Sequence, residues 1–377
     1  MKKKLLSALL SVALVSSLLT GCGSTKDTAA PADDTADTKT EALADENGAA
    51  GESSLVGVSM PTKDLQRWNQ DGSNMEKQLK EAGYEVDLQY ASNDIATQVS
   101  QIENMIANGV KLLVIASIDG DSLGTVLAQA KDAKIPVIAY DRLIMNSDAV
   151  SYYATFDNYM VGTKQGEYIV DALDLKNADG PFNLEIFTGD PGDNNAKFFY
   201  GGAMDILNPY IESGKLVVQS GQKNFEEVAT ANWSSENAQN RMDAIIASNY
   251  GDGKNIDAVL CSNDSTALGV ANALGSSYTG KYPVITGQDC DTANVKNMIA
   301  EKQSMSIFKD TRELAAQTVK MVDAVMKGGE APVNDTETYD NGTGVIPTYL
   351  CEPVFADANN YKELLIDSGY YNESELQ

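Results

Sequence analysis

The chain has 377 residues, with 28 Lys and Arg against 54 Asp and Glu, no histidine, and a formal charge of −26 at pH 7. That acidity, without any stripe of clustered Lys and Arg, disfavours nucleic acid as a partner, and the missing imidazole removes the commonest general base and metal ligand. A hydrophobic fraction of 43% is ample for two cores of ordinary domain size.

Lys2, Lys3 and Lys4 precede an apolar segment, 5–19, that is too short and too early to span a membrane and ends in Thr20-Gly21-Cys22. Residues 1–21 are expected to be a signal peptide. Leu19-Thr20-Gly21-Cys22 resembles the bacterial lipobox, which makes Cys22 the lipid-modified first residue of the mature chain and anchors it to the outer face of a membrane. Residues 22–53 form a tether after that cysteine: Ala, Thr, Asp and Glu dominate, with no apolar run able to offset the entropy of ordering.

From Leu55 the pattern alternates short apolar strands with amphipathic helices. Strands are predicted at 55–59, 86–90, 112–116 and 137–140, separated by helices at 65–82, 95–108 and 123–133. The stretch 138–158 reads as the end of this half and the crossing into the next. The pattern then restarts: helix 158–173, strand 184–187, helix 194–207, strand 216–218, helix 235–250, strand 258–260, helix 265–274, strand 284–286 and helix 293–301. Residues 305–308 lead through Lys309 into a helix reaching about 326, and 347–350 with a helix near Tyr361 complete the chain. Short strands alternating with helices at this spacing predict an α/β protein with two doubly wound parallel sheets.

Ligands of such sheets bind beyond the carboxyl ends of the strands, and polar side chains recur there. Arg67 and Trp68 follow the first strand and Asp141-Arg142 the fourth; later come Asp193, Asn194 and Asn195, then Asn263-Asp264, Gln288-Asp289 and Lys309. Taken singly, each has a structural explanation as a helix cap, a loop residue or core. Together they describe a site for a small polyol, because amides, carboxylates and guanidinium groups match hydroxyls that both donate and accept. The only two tryptophans, Trp68 and Trp233, lie in predicted loops beside these clusters, one in each half. Several Asp and no Gly-rich phosphate loop disfavour a nucleotide.

The segments SMPTKDLQRWNQDG, IENMIANGVKLLVIASIDG, IAYDRLI, SYYATFDN, GDPGDNNAKFFYGGAMD, GQD and FKDTRELA together resemble the xylose-binding and multiple-monosaccharide-binding members of the type I periplasmic binding protein family, over roughly 55–377. The resemblance implies two Rossmann-like lobes joined by three crossovers, here 54–156 plus 310–346 and 157–309 plus 347–377, closing on one pyranose that passes to an ABC sugar permease. It implies hydroxyl contacts from Arg67, Asp141, Arg142, Asn195, Asn263, Asp289 and Lys309, with Trp68 and Trp233 on either face of the ring. Asn194, Lys197 and Asp264 complete the candidate ligand set. In multiple-sugar members the position of Lys197 is often apolar or aromatic, and the Asn263-Asp264 pair looks more like the xylose branch, which leaves the preferred sugar open. No cofactor or metal is implied, and a monomer is expected.

Two other classes compete with transport: a sugar sensor serving a chemoreceptor or sensor kinase, and a glycoside-processing enzyme using a carboxylate pair such as Asp141 and Asp289. Cys261 and Cys290 end successive strands, so a disulfide between them is geometrically conceivable, with Cys351 left alone; free buried thiols are the expectation. Hinges are expected at 155–158, 308–310 and near Pro347.

Overall fold

The computed structural model describes residues 54–251 and 253–377; the signal peptide, Cys22 and the tether lie outside them. In chain order the elements are β1 (Leu55–Met60), α1 (Gln66–Glu81), β2 (Glu85–Tyr90), α2 (Ile95–Ala107), β3 (Leu112–Ile115), α3 (Gly124–Asp132), β4 (Val137–Tyr140) and β5 (Val150–Phe156). There follow α4 (Asn158–Ala172), β6 (Phe182–Phe187), α5 (Asn194–Glu212), β7 (Leu216–Val217), α6 (Phe225–Val228), α7 (Ser235–Asn249), β8 (Ala258–Cys261), α8 (Asp264–Ser277) and β9 (Val284–Ile285). The last are α9 (Thr292–Ile299), β10 (Met305–Phe308), α10 (Thr311–Met326), β11 (Thr348–Cys351) and β12 (Val354–Asp357), before a wide helical turn at Lys362–Asp367.

The first lobe is a six-stranded, wholly parallel sheet in the order β2-β1-β3-β4-β5-β11. Its inner strands are buried on both faces, so alternate residues feed two cores. Leu112 and Val114 join Met75 and Leu79 of α1 and Leu314 and Val322 of α10, whereas Leu113 and Ile115 face Ile102 of α2 and Leu127 of α3. The second lobe repeats the plan with β7-β6-β8-β9 in parallel. There Leu184 and Leu260 pack on α4 and α5, while Val259 and Ile285 pack on α7 and α8. Strand β10 extends this sheet through the Ile307 N–H to Gly287 O bond of 3.0 Å and the Asp289 N–H to Ile307 O bond of 2.8 Å, and β12 closes it antiparallel. Helices α4 and α5 touch so closely that a Cβ on Gly162 would stand 2.0 Å from the Phe199 carbonyl oxygen.

Two expectations are corrected. Residues 150–156, read as part of a crossing, form β5; parallel neighbours are usually joined through a helix, and the loop from Asp141 to Ala149 contains none, so the alternation rule passed over the strand. Residues 348–351, assigned to the second lobe, pair with β5 at the edge of the first sheet. The third crossing therefore lies between Cys351 and Val354 rather than near Pro347. Cys261, Cys290 and Cys351 are buried free thiols, so the Cys261–Cys290 disulfide does not form.

Candidate functional site

The helices facing the gap between the lobes follow strands through short loops, and the residues at their starts carry caps that orient the chain. Asp193 accepts the N–H of Asn195 at 3.0 Å and Asn263 that of Thr266 at 3.0 Å, while Asp310 accepts from Arg312 at 2.9 Å. The fourth strands of the two lobes, β4 and β9, both run into aspartates in the left-handed region, Asp141 at φ 59° and Asp289 at φ 97°. That conformation is costly for a residue with a Cβ, and at Asp141 it turns the carbonyl inward to accept from Thr155 Oγ1 at 3.0 Å and, across the gap, from Asn195 Nδ2 at 2.5 Å.

A charged cluster bridges the lobes. Arg67 Nη2 stands 2.8 Å from Asp141 Oδ1 and 3.0 Å from Asp71, and Arg67 Nη1 stands 3.6 Å from Asp289 of the other lobe. Lys309 Nζ lies between the same two aspartates, 3.6 Å from Asp141 and 3.3 Å from Asp289. Arg142 crosses to Asp193 at 3.0 Å and donates to the carbonyls of Ser117 and Ile118 at 3.1 and 3.2 Å. Burial works against ionisation of Asp141, but Arg67, Lys309 and Arg142 outweigh it and hold its carboxyl below the usual range. At Asp71 burial prevails over Arg67 and pushes the carboxyl up to about 6. Asp71 also accepts the Tyr140 O–H at 2.6 Å, so it fixes Arg67 from behind without lining the pocket.

The pocket enclosed by these groups is lined by Arg67, Trp68, Asp141, Arg142, Asn195, Trp233, Asn263, Asp289 and Lys309, which are nine of the twelve candidate contacts. The other three do not line it. Asn195 and Phe199 are one turn apart on α5 and share the inward face, whereas Asn194 and Lys197 are rotated from it; Lys197 is exposed. Asp264 is buried beneath the floor, accepting from Gln303 Nε2 at 2.8 Å, Ser306 Oγ at 2.9 Å and the Asp291 N–H at 2.9 Å. Trp68 occupies the first turn of α1, inside the predicted helix 65–82 and not in a loop, with the guanidinium carbons of Arg67 and Arg142 at 4.4 and 5.0 Å from its ring centroid.

The lining also includes Leu65, Asp193, Phe199, Ser265, Gln288 and Asp291, none of them in the candidate set. Asp193 and Gln288 stand at strand ends already marked by their polar side chains, and Phe199 follows Asn195 by one helical turn, the spacing that signals a shared face. Gln288 donates through Nε2 to Ser262 O at 3.2 Å, which leaves its Oε1 buried without a hydrogen-bond partner, as are Asp289 Oδ1 and Trp68 Nε1. The pocket thus offers fixed acceptors, cationic donors and two indole walls, a set matched to an uncharged molecule bearing hydroxyls and flat apolar faces.

Asp291 carries a pH prediction. Burial and then the charge of Asp289 push its carboxyl from 3.8 up to about 7, against the attraction of Arg67 and Lys309. The folded state therefore holds this proton more tightly than the unfolded chain, so the stabilisation is complete below about 3.8 and lost as pH rises through about 7. Thermal midpoints are expected to fall from pH 5 to pH 8, and Asp291→Asn to flatten that slope. Parallel slopes in the two proteins would remove Asp291 as its origin.

A family of proteins described as carrying a periplasmic binding protein domain matches residues 56–330. A multiple sugar-binding periplasmic protein of Azospirillum brasilense is 54% identical over 85% of this chain and 91% of its own. The D-xylose-binding periplasmic protein of Escherichia coli is 36% identical over 85% and 92%. The crystal structure of an ABC transporter solute binding protein from Clostridium phytofermentans with bound β-D-glucose is 80% identical, covers 86% of this chain and 100% of that one, and superposes with a TM-score of 0.85.

Proposed function

The chain belongs to the periplasmic binding protein domain family, and from that premise we propose that it is an exported receptor that binds one monosaccharide between its lobes and delivers it to an ABC sugar permease. D-Glucose is the first ligand to expect, since the similar Clostridium phytofermentans protein holds it, and the likeness to multiple-sugar and xylose receptors extends the expectation to other pyranoses. The observation that carries the reading is the meeting of Arg67, Lys309, Asp141 and Asp289 from both lobes in one pocket that Trp68 and Trp233 also line.

In this reading Arg67, Asp141, Arg142, Asn195, Asn263, Asp289 and Lys309 contact sugar hydroxyls, and the indoles cover the ring faces. Closure follows from position. The segments after β5, β10 and β11 are the crossings about which the lobes rotate, and a ligand touching both lobes stabilises the closed state by the contacts absent from the open one. Direct bonds already span the gap: the Gly120 N–H to Gly192 O at 3.0 Å and the Thr292 N–H to Gln66 Oε1 at 3.1 Å. We further propose a monomer held at the outer face of the membrane through lipid on Cys22, with the two sheets as its lobes. The site binds and releases its sugar unchanged.

Calorimetric titration of the leaderless protein with D-glucose, D-xylose, D-galactose, L-arabinose and D-ribose tests this. One-to-one binding of D-glucose with submicromolar affinity, about 8 kcal/mol or more, and recovery of the intact sugar are expected. Silence across the panel, or conversion of the sugar, would overturn the assignment.

A further inference from the structure

The indole wall of the second lobe rests on a backbone its own residues disfavour: Asn232 and Trp233 are both left-handed, at φ 59° and 53°. What holds this turn is the loop after β6, Gly189-Asp190-Pro191-Gly192. Asp190 Oδ2 accepts the Asn232 N–H, while Oδ1 of the same carboxylate accepts the Gly192 N–H at 2.7 Å and so ties the loop together. The Gly189 carbonyl accepts the Thr230 N–H at 3.0 Å, and that of Thr230 accepts the Trp233 N–H at 3.1 Å.

Gly189 lies directly under the ring, so a Cβ there would stand 2.0 Å from both Cη2 and Cζ2 of Trp233. Real carbon contacts are longer by more than an ångström, so the indole has its place only because position 189 has no side chain. The same long edge of the indole is fixed in the ring plane by Nε1, bonded to Cε2, donating to Asp193 Oδ2 at 3.2 Å, the oxygen that also pairs with Arg142. Neither Gly189 nor Asp190 lines the sugar pocket.

We infer that Gly189 and Asp190 are positioning residues for ligand binding: they hold the Asn232-Trp233 turn so that the indole presents its face to the ligand. The inference rests on Trp233 as a wall of the sugar site. A residue at this distance from the ligand acts through the angle of the indole, so its effect disappears once the indole is gone.

The test has two arms. With Trp68 replaced by Phe, Trp233 is the only tryptophan left, and its emission and acrylamide quenching are measured in the absence of sugar. Adding Gly189→Ala or Asp190→Ala is expected to shift the emission to the red and to raise the quenching constant at least twofold; unchanged emission and quenching in both would overturn the inference. In the second arm, with both native tryptophans, Gly189→Ala is expected to weaken glucose binding at least tenfold. Added to Trp233→Ala, it should weaken it less than twofold further. Losses that multiply would also overturn the inference, because Gly189 would then act on something other than the indole. Should Gly189→Ala fail to fold, Asp190→Ala carries the same two expectations. A wild-type protein that ignores sugars while the emission still shifts would sink the sugar reading and leave the positioning role intact.

Discussion

Replacing Arg67 with alanine is expected to abolish detectable sugar binding and to lower the stability of the ligand-free protein by about 3–5 kcal/mol, the usual cost of leaving a buried charge without its partner. The size follows from what the guanidinium holds apart. Asp71, Asp141 and Asp289 all lie within 3.6 Å of its nitrogens, and the neighbouring cation Lys309 reaches only Asp141 and Asp289. Without Arg67, Asp71 keeps one donor, Tyr140, in a site with no access to water. Titration calorimetry and urea denaturation read the two effects separately. A variant that binds within tenfold of wild type would mean that the cluster is not the hydroxyl site, and one that unfolds at the same urea concentration would mean that it is not the electrostatic centre of the cleft.

Arg142→Ala is expected to weaken binding at least a hundredfold, about 2.7 kcal/mol, with a much smaller loss of stability than Arg67→Ala. Its guanidinium bridges the lobes through Asp193 and braces the segment after β3 through the carbonyls of Ser117 and Ile118, so the variant loses a cross-cleft contact together with the proposed hydroxyl donor. Asp193 is not abandoned, because the N–H of Asn195 at the start of α5 and the Trp233 indole N–H still donate to it, and the helix N-terminus favours its charge. Binding unaltered by Arg142→Ala would place the ligand elsewhere. A stability loss equal to that of Arg67→Ala would instead mean that Asp193 depends on the arginine alone.

Much of this molecule is legible before folding. The strands β3, β4 and β8 are short apolar runs because both faces of a parallel strand are buried, and Asp94, Asp157 and Asn263 mark helix starts because only a short polar side chain there satisfies the free N–H groups. Local pattern therefore determined two α/β lobes and pointed to strand ends carrying Asp141, Asn263 and Asp289. It could not set the rotation of α5, which turns Asn195 and Phe199 inward and Lys197 outward, nor sink Asp264 beneath the floor while Asn263 beside it lines the pocket. It missed β5 and misplaced β11 because strand neighbours are chosen by the sheet and not by chain order. Above all, the pairing of Arg67 with Asp289 and of Arg142 with Asp193 joins residues of different lobes. Such pairs carry no periodicity or spacing in the chain; they exist only once two separately patterned lobes pack face to face.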